Sequence, residues 1–146
     1  MSTKNFFIGG IVGGVVFFFL GYLLYGNLLA DFFNKNAGLA QVPMAEYKWW
    51  ALILGNLFSG FFLSYILVKS GSLSVSSGLI TGAIIGFLAS GSADLVLFAT
   101  TKILGKSSLI VDVVTVTVMS AIAGAIIAAV INMLNKSRAT VTETVV

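Results

Sequence analysis

The chain is 146 residues long, 58% hydrophobic and 9% charged, with a mean hydropathy of +1.07. A water-soluble domain carries about 25% charged residues, so a soluble globule is excluded. Histidine and cysteine are both absent, which removes disulfides, imidazole or thiolate metal ligation, the Ser-His-acid triad and the Cys-His pair. The net charge of +3 comes from bases placed singly at the ends of apolar runs. Lipid headgroups are therefore the expected partners, and nucleic acid is not.

Four apolar runs, at 6–29, 49–68, 79–101 and 109–134, fill most of the chain. Each reaches the roughly 20 residues that a helix rising about 1.5 Å per residue needs to cross a bilayer. The first is read as a retained span, because 24 residues exceed the 7–15 of a signal-peptide apolar region. Gly9, Gly10, Gly13 and Gly14 give it two overlapping small-xxx-small pairs, and it closes on Gly21, Tyr22, Tyr25, Gly26 and Asn27. Tyr22, Tyr25 and Asn27 suit either donation to a buried carboxylate or an interfacial aromatic belt. The following loop, 30–48, is the longest and holds the only proline, Pro43. A short interfacial helix is expected there, and Tyr47, Trp49 and Trp50 are expected to anchor the entry of span two in the headgroup zone.

Span two ends at Lys69, and the Ser/Gly-rich stretch 70–77 predicts a tight antiparallel hairpin with span three. The turn 102–108 predicts another between spans three and four, with Gly105 as a helix stop and Ser107 or Ser108 as N-cap. The β-branched residues from Ile110 to Val118 are read as helix, because a strand edge in hydrocarbon would leave backbone groups unsatisfied and four spans cannot close a barrel. The polar stretch 139–146, ending in Thr144, Val145 and Val146, reads as a disordered tail that matches a PDZ ligand only by chance. The expected architecture is a single transmembrane domain over 1–138: an all-α, integral-membrane four-helix bundle of antiparallel up-down topology.

Small residues recur every four positions in the last two spans, as Gly78, Gly82, Gly86 and Ser90, and as Ser120, Gly124 and Ala128. With Gly9 and Gly13 they predict close helix packing, either within one subunit or between copies. Asp94 and Asp112 are the acids inside the spans, and each continues one of these rows numerically. Counting from the connecting turn places Asp94 about 15 Å deep and Asp112 roughly 8 Å deep. An ionisable group in hydrocarbon needs a partner, a cavity or a task. The functional reading is a proton or cation site built on Asp94 and Asp112, with Asn56, Ser90, Ser92, Thr100 or Thr115 as neutral ligands. The alternative is that Lys102 or a tyrosine hydroxyl neutralises Asp94, while Asp112 interacts with the start of its helix.

Several stretches are similar to a group of small bacterial four-span membrane proteins, the domain of unknown function family 1761. They are the run Gly21 to Gly26 followed by Phe32, Phe33 and Gly38; Gly78 to Gly86; Leu97 and Phe98; the Lys102 to Lys106 turn; Ile110, Val111 and Asp112; and the small residues around Ala123 and Gly124. Leu24 and Phe33 stand where that family usually has tryptophan. The resemblance implies a four-span topology in a bacterial inner membrane and lends no activity, cofactor or site residue.

Lys4, Lys69, Lys136 and Arg138 fall on one side and Lys35, Lys48, Lys102 and Lys106 on the other, a tie of bases that the acids tilt towards cytoplasmic termini. The sequence thus predicts a non-enzymatic membrane protein with no cofactor or metal. It would act through helix packing, as a homo-oligomer or as a subunit joined to another membrane protein. The alternative is a small proton- or cation-conducting channel or transporter using Asp94 and Asp112.

Overall fold

The computed structural model describes residues 2–36, 42, 44–71 and 73–143. Its elements are α1 (Thr3–Leu23), a π-helical turn (Leu24–Leu28), α2 (Ala30–Asn36), a 3-10 turn (Met44–Glu46), α3 (Trp49–Ser70), α4 (Val75–Thr100) and α5 (Lys106–Glu143). Four helices, α1 with its π-helical extension, α3, α4 and α5, are long and apolar enough to cross a membrane. The protein is an all-α membrane bundle. Ile110 to Val118 lie inside α5, as the need to satisfy backbone groups within each segment requires.

The helix ends follow local chemistry. Ser2 and Ser74 cap α1 and α4 by accepting from the backbone N–H of Asn5 and Ser77. Gly71 closes α3 in the left-handed region at φ 72°, and its N–H bonds to the Leu67 carbonyl. α4 stops at Thr100, five residues before the expected stop at Gly105, where Thr101 turns extended. The hydroxyls of Thr100 and Thr101 donate to the carbonyls of Val96 and Leu97. Gly105 instead precedes α5 and its carbonyl accepts the N–H of Leu109, so Ser107 and Ser108 fall inside the first turn and do not cap it. α5 continues past 134 to Glu143, into the stretch read as a tail. No glycine or proline interrupts it there, and extending an existing helix costs far less than starting one. Gly38, Pro43 and the final three residues lie outside the described residues.

Packing is decided by small residues. A Cβ added to Gly13 would stand 3.0 Å from Gly60 Cα, and one added to Gly14 would stand 2.9 Å from Leu57 Cα, so α1 and α3 meet nearly backbone to backbone. Gly10 abuts Phe61 and Gly9 abuts Ser64. Between α4 and α5, Gly78 faces Gly124 and Ala128, Gly82 faces Ser120, and Gly86 faces Ser120 and Val116. In both pairs residue numbers rise along one helix as they fall along the other. Lipid tails are as apolar as leucine, so close approach and dispersion select which faces join.

α5 is the hub. Its Ser120, Gly124 and Ala128 face α4, while Met119, Ala123, Ile127 and Ile131 form the core with Phe17 of α1 and with Leu63 and Leu67 of α3. Two polar contacts fasten the same end: Ser64 Oγ donates to the Phe6 carbonyl at 2.9 Å, and Asn5 Nδ2 donates to Asn135 Oδ1 at 3.1 Å. The tight hairpin expected of spans two and three is not a packed one, since α3 and α4 make only slight contact. Each carries its small-residue face to a different partner, α3 to α1 and α4 to α5.

Candidate functional site

Asp94 extends the buried row of α4, where Gly78, Gly82, Gly86, Ser90 and Asp94 are all buried against α5. Asp112 sits on α5. Each acid lies six residues from the turn that joins the two helices, counted from Thr100 and from Lys106, or about 9 Å along the helix axis. The difference in depth expected between them disappears because α4 ends early. The two carboxyls stand within hydrogen-bonding reach of one another, between helices that approach through glycine.

The third member is Tyr25, whose hydroxyl donates to Asp112 Oδ1 at 2.6 Å. It lies in the π-helical turn, where Leu29 N–H bonds to the carbonyl of Leu24, five residues back, at 2.7 Å. The wider turn inserts one residue into the helical register, and such bulges recur at functional sites. Phe33 of α2 holds the tyrosine ring at a centroid distance of 5.1 Å. Asn36, at the end of α2, accepts a hydrogen bond from Ser108 Oγ at 3.0 Å, which ties this short helix to the start of α5. α2 therefore supports the aromatic side of the cluster.

Asp94 is 8% exposed, and its Oδ2 is enclosed without a hydrogen-bond partner among the described residues. Among those residues Lys102 makes no ion pair with it, and the tyrosine hydroxyl goes to Asp112. Ser90 is buried one turn away, but its hydroxyl donates to the Gly86 carbonyl at 2.7 Å. Thr115, also buried, donates to Val111 at 2.7 Å. Ser92 and Thr100 are exposed. Among the described residues no group of three or more His, Cys, Asp or Glu could hold a metal ion.

Asn56 belongs elsewhere. It lines a cavity of about 1020 Å³ between α1 and α3, together with Phe18, Gly21, Tyr22, Leu52 and Gly55. Met119 of α5 also lines it, and Glu46, Tyr47, Lys48 and Trp49 stand where the chain enters α3. Tyr22 is separated from the acids, its side chain half exposed, and its carbonyl accepts from Asn27 Nδ2 at 2.9 Å. Tyr25 lines this cavity and also touches the acid pair. Trp49 and Trp50 are exposed, and Tyr47 packs on Trp49 at 6.0 Å. No family model, curated protein or solved structure matches the chain.

Proposed function

We propose that the protein handles protons in a membrane, as a small proton channel or proton-coupled transporter, with Asp94 and Asp112 taking up and releasing the proton and Tyr25 orienting the pair. The observation that carries this reading is the meeting of two carboxyls from different spans, with one oxygen of Asp94 enclosed and unpartnered. Two adjacent carboxylates away from water repel strongly, so the arrangement calls for a positive charge between them. A proton suits it better than a metal ion. Hard divalent cations take about six oxygen ligands, and the nearby hydroxyls of Ser90 and Thr115 are already engaged with their own helices.

The helix-packing reading has less support. Gly9, Gly13, Gly78, Gly82, Gly86, Ser120, Gly124 and Ala128 find partners inside one chain, so these faces are not left over for a second copy or another membrane protein. With the bases tied, the acids, all but Glu143 of which fall on the other side from the termini, favour cytoplasmic termini, and the resemblance in sequence favours a bacterial inner membrane. The acid pair then lies nearer the outer surface.

The test is proton uptake into proteoliposomes under an imposed potential, followed with an entrapped pH indicator. Wild type should exceed protein-free vesicles, and Asp94→Asn and Asp112→Asn should each fall back to the protein-free rate. Tyr25→Phe should leave an intermediate rate. Folded aspartate variants that conduct like wild type would overturn the proposal.

A further inference from the structure

The cavity between α1 and α3 has the layout of a binding site for an amphiphile. On α1 it is lined by Phe18, Gly21, Tyr22, Tyr25 and Gly26, and on α3 by Leu52, Gly55, Asn56 and Ser59. Each set recurs at three- and four-residue steps and so forms one helix face. Where Gly13 and Gly14 meet Gly60 and Leu57 the helices touch, but around Gly21 and Gly55 they do not. A Cβ at Gly55 would meet nothing within 4 Å, and one at Gly21 would meet only Met119 Cε at 3.7 Å. These two glycines leave a groove open in place of closing a helix contact.

The groove is chemically graded. Its wall is apolar and aromatic at Phe18, Leu52, Trp49 and Met119. Asn56 and Ser59 each donate to a carbonyl of their own helix, Leu52 and Gly55, and the Asn56 amide keeps an N–H and its oxygen for a polar group of a bound amphiphile. At the end where the chain enters α3, Glu46 and Lys48 stand two residues apart beside Tyr47 and Trp49. Among the described residues neither charge is answered by an ion pair. Tyr22, Trp49 and Leu52 are each at least 40% exposed, so the groove is open at its flank.

We infer that this groove holds one zwitterionic phospholipid from the surrounding bilayer, its phosphate at Lys48, its ammonium at Glu46 and an acyl chain along Gly21 and Gly55. A zwitterion matches an adjacent acid and base that leave no net charge, whereas an anionic headgroup would meet Glu46 unfavourably. Aromatic rings at headgroup level mark where the glycerol region sits. The volume is that of a ligand cavity, larger than packing defects between helices require. This inference does not depend on the proton reading.

The experiment reconstitutes the full chain in vesicles doped with a phosphatidylethanolamine that carries a photoreactive acyl chain, and maps adducts by peptide mass spectrometry. Labelling should concentrate on Phe18 to Gly26 and Trp49 to Ser59, several-fold above the exposed lipid-facing side chains of α4 such as Ile84, Phe87 and Val96. Gly55→Leu, whose Cβ would meet nothing within 4 Å, extends into the groove and should abolish that excess. Gly91→Leu, where an added Cβ also meets nothing, should not. A phosphatidylglycerol probe should label the groove several-fold less, and Glu46→Gln, an exposed change that leaves the helices intact, should remove that difference. Labelling no stronger than on α4, equal labelling by both headgroups, or crosslinks between two protein copies through the groove would each overturn the inference.

Discussion

The cost of Asp94 is set by its surroundings more than by its identity. A carboxyl buried between two transmembrane helices is retained only if its charge is answered or its proton is used. Here the answering group is a second carboxyl, and the single hydroxyl bond goes to that neighbour. If the pair holds a proton, infrared spectra should contain the carbonyl stretch of a protonated carboxylic acid, and Asp94→Asn should remove it; spectra without that band in the wild type would contradict the proton reading. Other single contacts are worth less. Ser64 Oγ to the Phe6 carbonyl is an interhelical bond at the core, and such bonds average about 0.6 kcal/mol in membranes. Ser64→Ala should lower stability by about that amount in a bilayer unfolding measurement. A loss several times larger would mean that Ser64 also sets the spacing of Gly9.

Among the helices, glycine has two separate uses. Gly82 lies so close to the Ser120 backbone that no side chain fits, whereas Gly91, about two and a half turns further along α4 and so on its opposite face, meets open space. Gly82→Leu should therefore cost about 3 kcal/mol or more, the upper end for overpacking, because the obstacle is backbone. Gly91→Leu should be near neutral by the same stability assay. Equal effects at both positions would refute the packing described for α4 and α5. The π-helical turn is a third local device. It appears where Leu24 to Leu28 would otherwise continue a regular helix, and it carries the tyrosine that reaches α5. Gly26 and Asn27, both weak helix formers, loosen the helix there, but nothing in the residue pattern specifies a π-helical register.

The molecule is two helix pairs, α1 with α3 and α4 with α5, joined chiefly where α1 lies against α5. α3 and α4 make only slight contact with each other, and the pairs are held together by Phe17, Met119, Ile127 and Ile131 and by the Asn5 to Asn135 bond. A chain divided after Gly71 should accordingly reassemble. Coexpressed fragments 1–71 and 72–146 are expected to copurify in mild detergent and to retain proton uptake, because the acid pair lies within the second fragment and Tyr25 in the first. Fragments that fail to associate would show that the link itself organises the bundle.

Much of this was legible in the residues. Four runs of sufficient length, few charges and no histidine or cysteine dictate membrane-spanning helices and exclude most catalytic chemistry, since hydrocarbon admits no other backbone form for so short a chain. The four-residue rows of glycine, serine and alanine marked the contact faces, and Asp94 and Asp112 stood out for their cost. Composition and spacing act within one helix, so they could not say that α3 turns from α4 to α1, that Asn56 faces a groove while Ser90 lies beside Asp94, or that α4 ends early enough to bring both acids to one depth. Those outcomes depend on which surfaces fit together. In a bilayer, where burying apolar area favours no particular neighbour, shape complementarity between whole helices makes that choice.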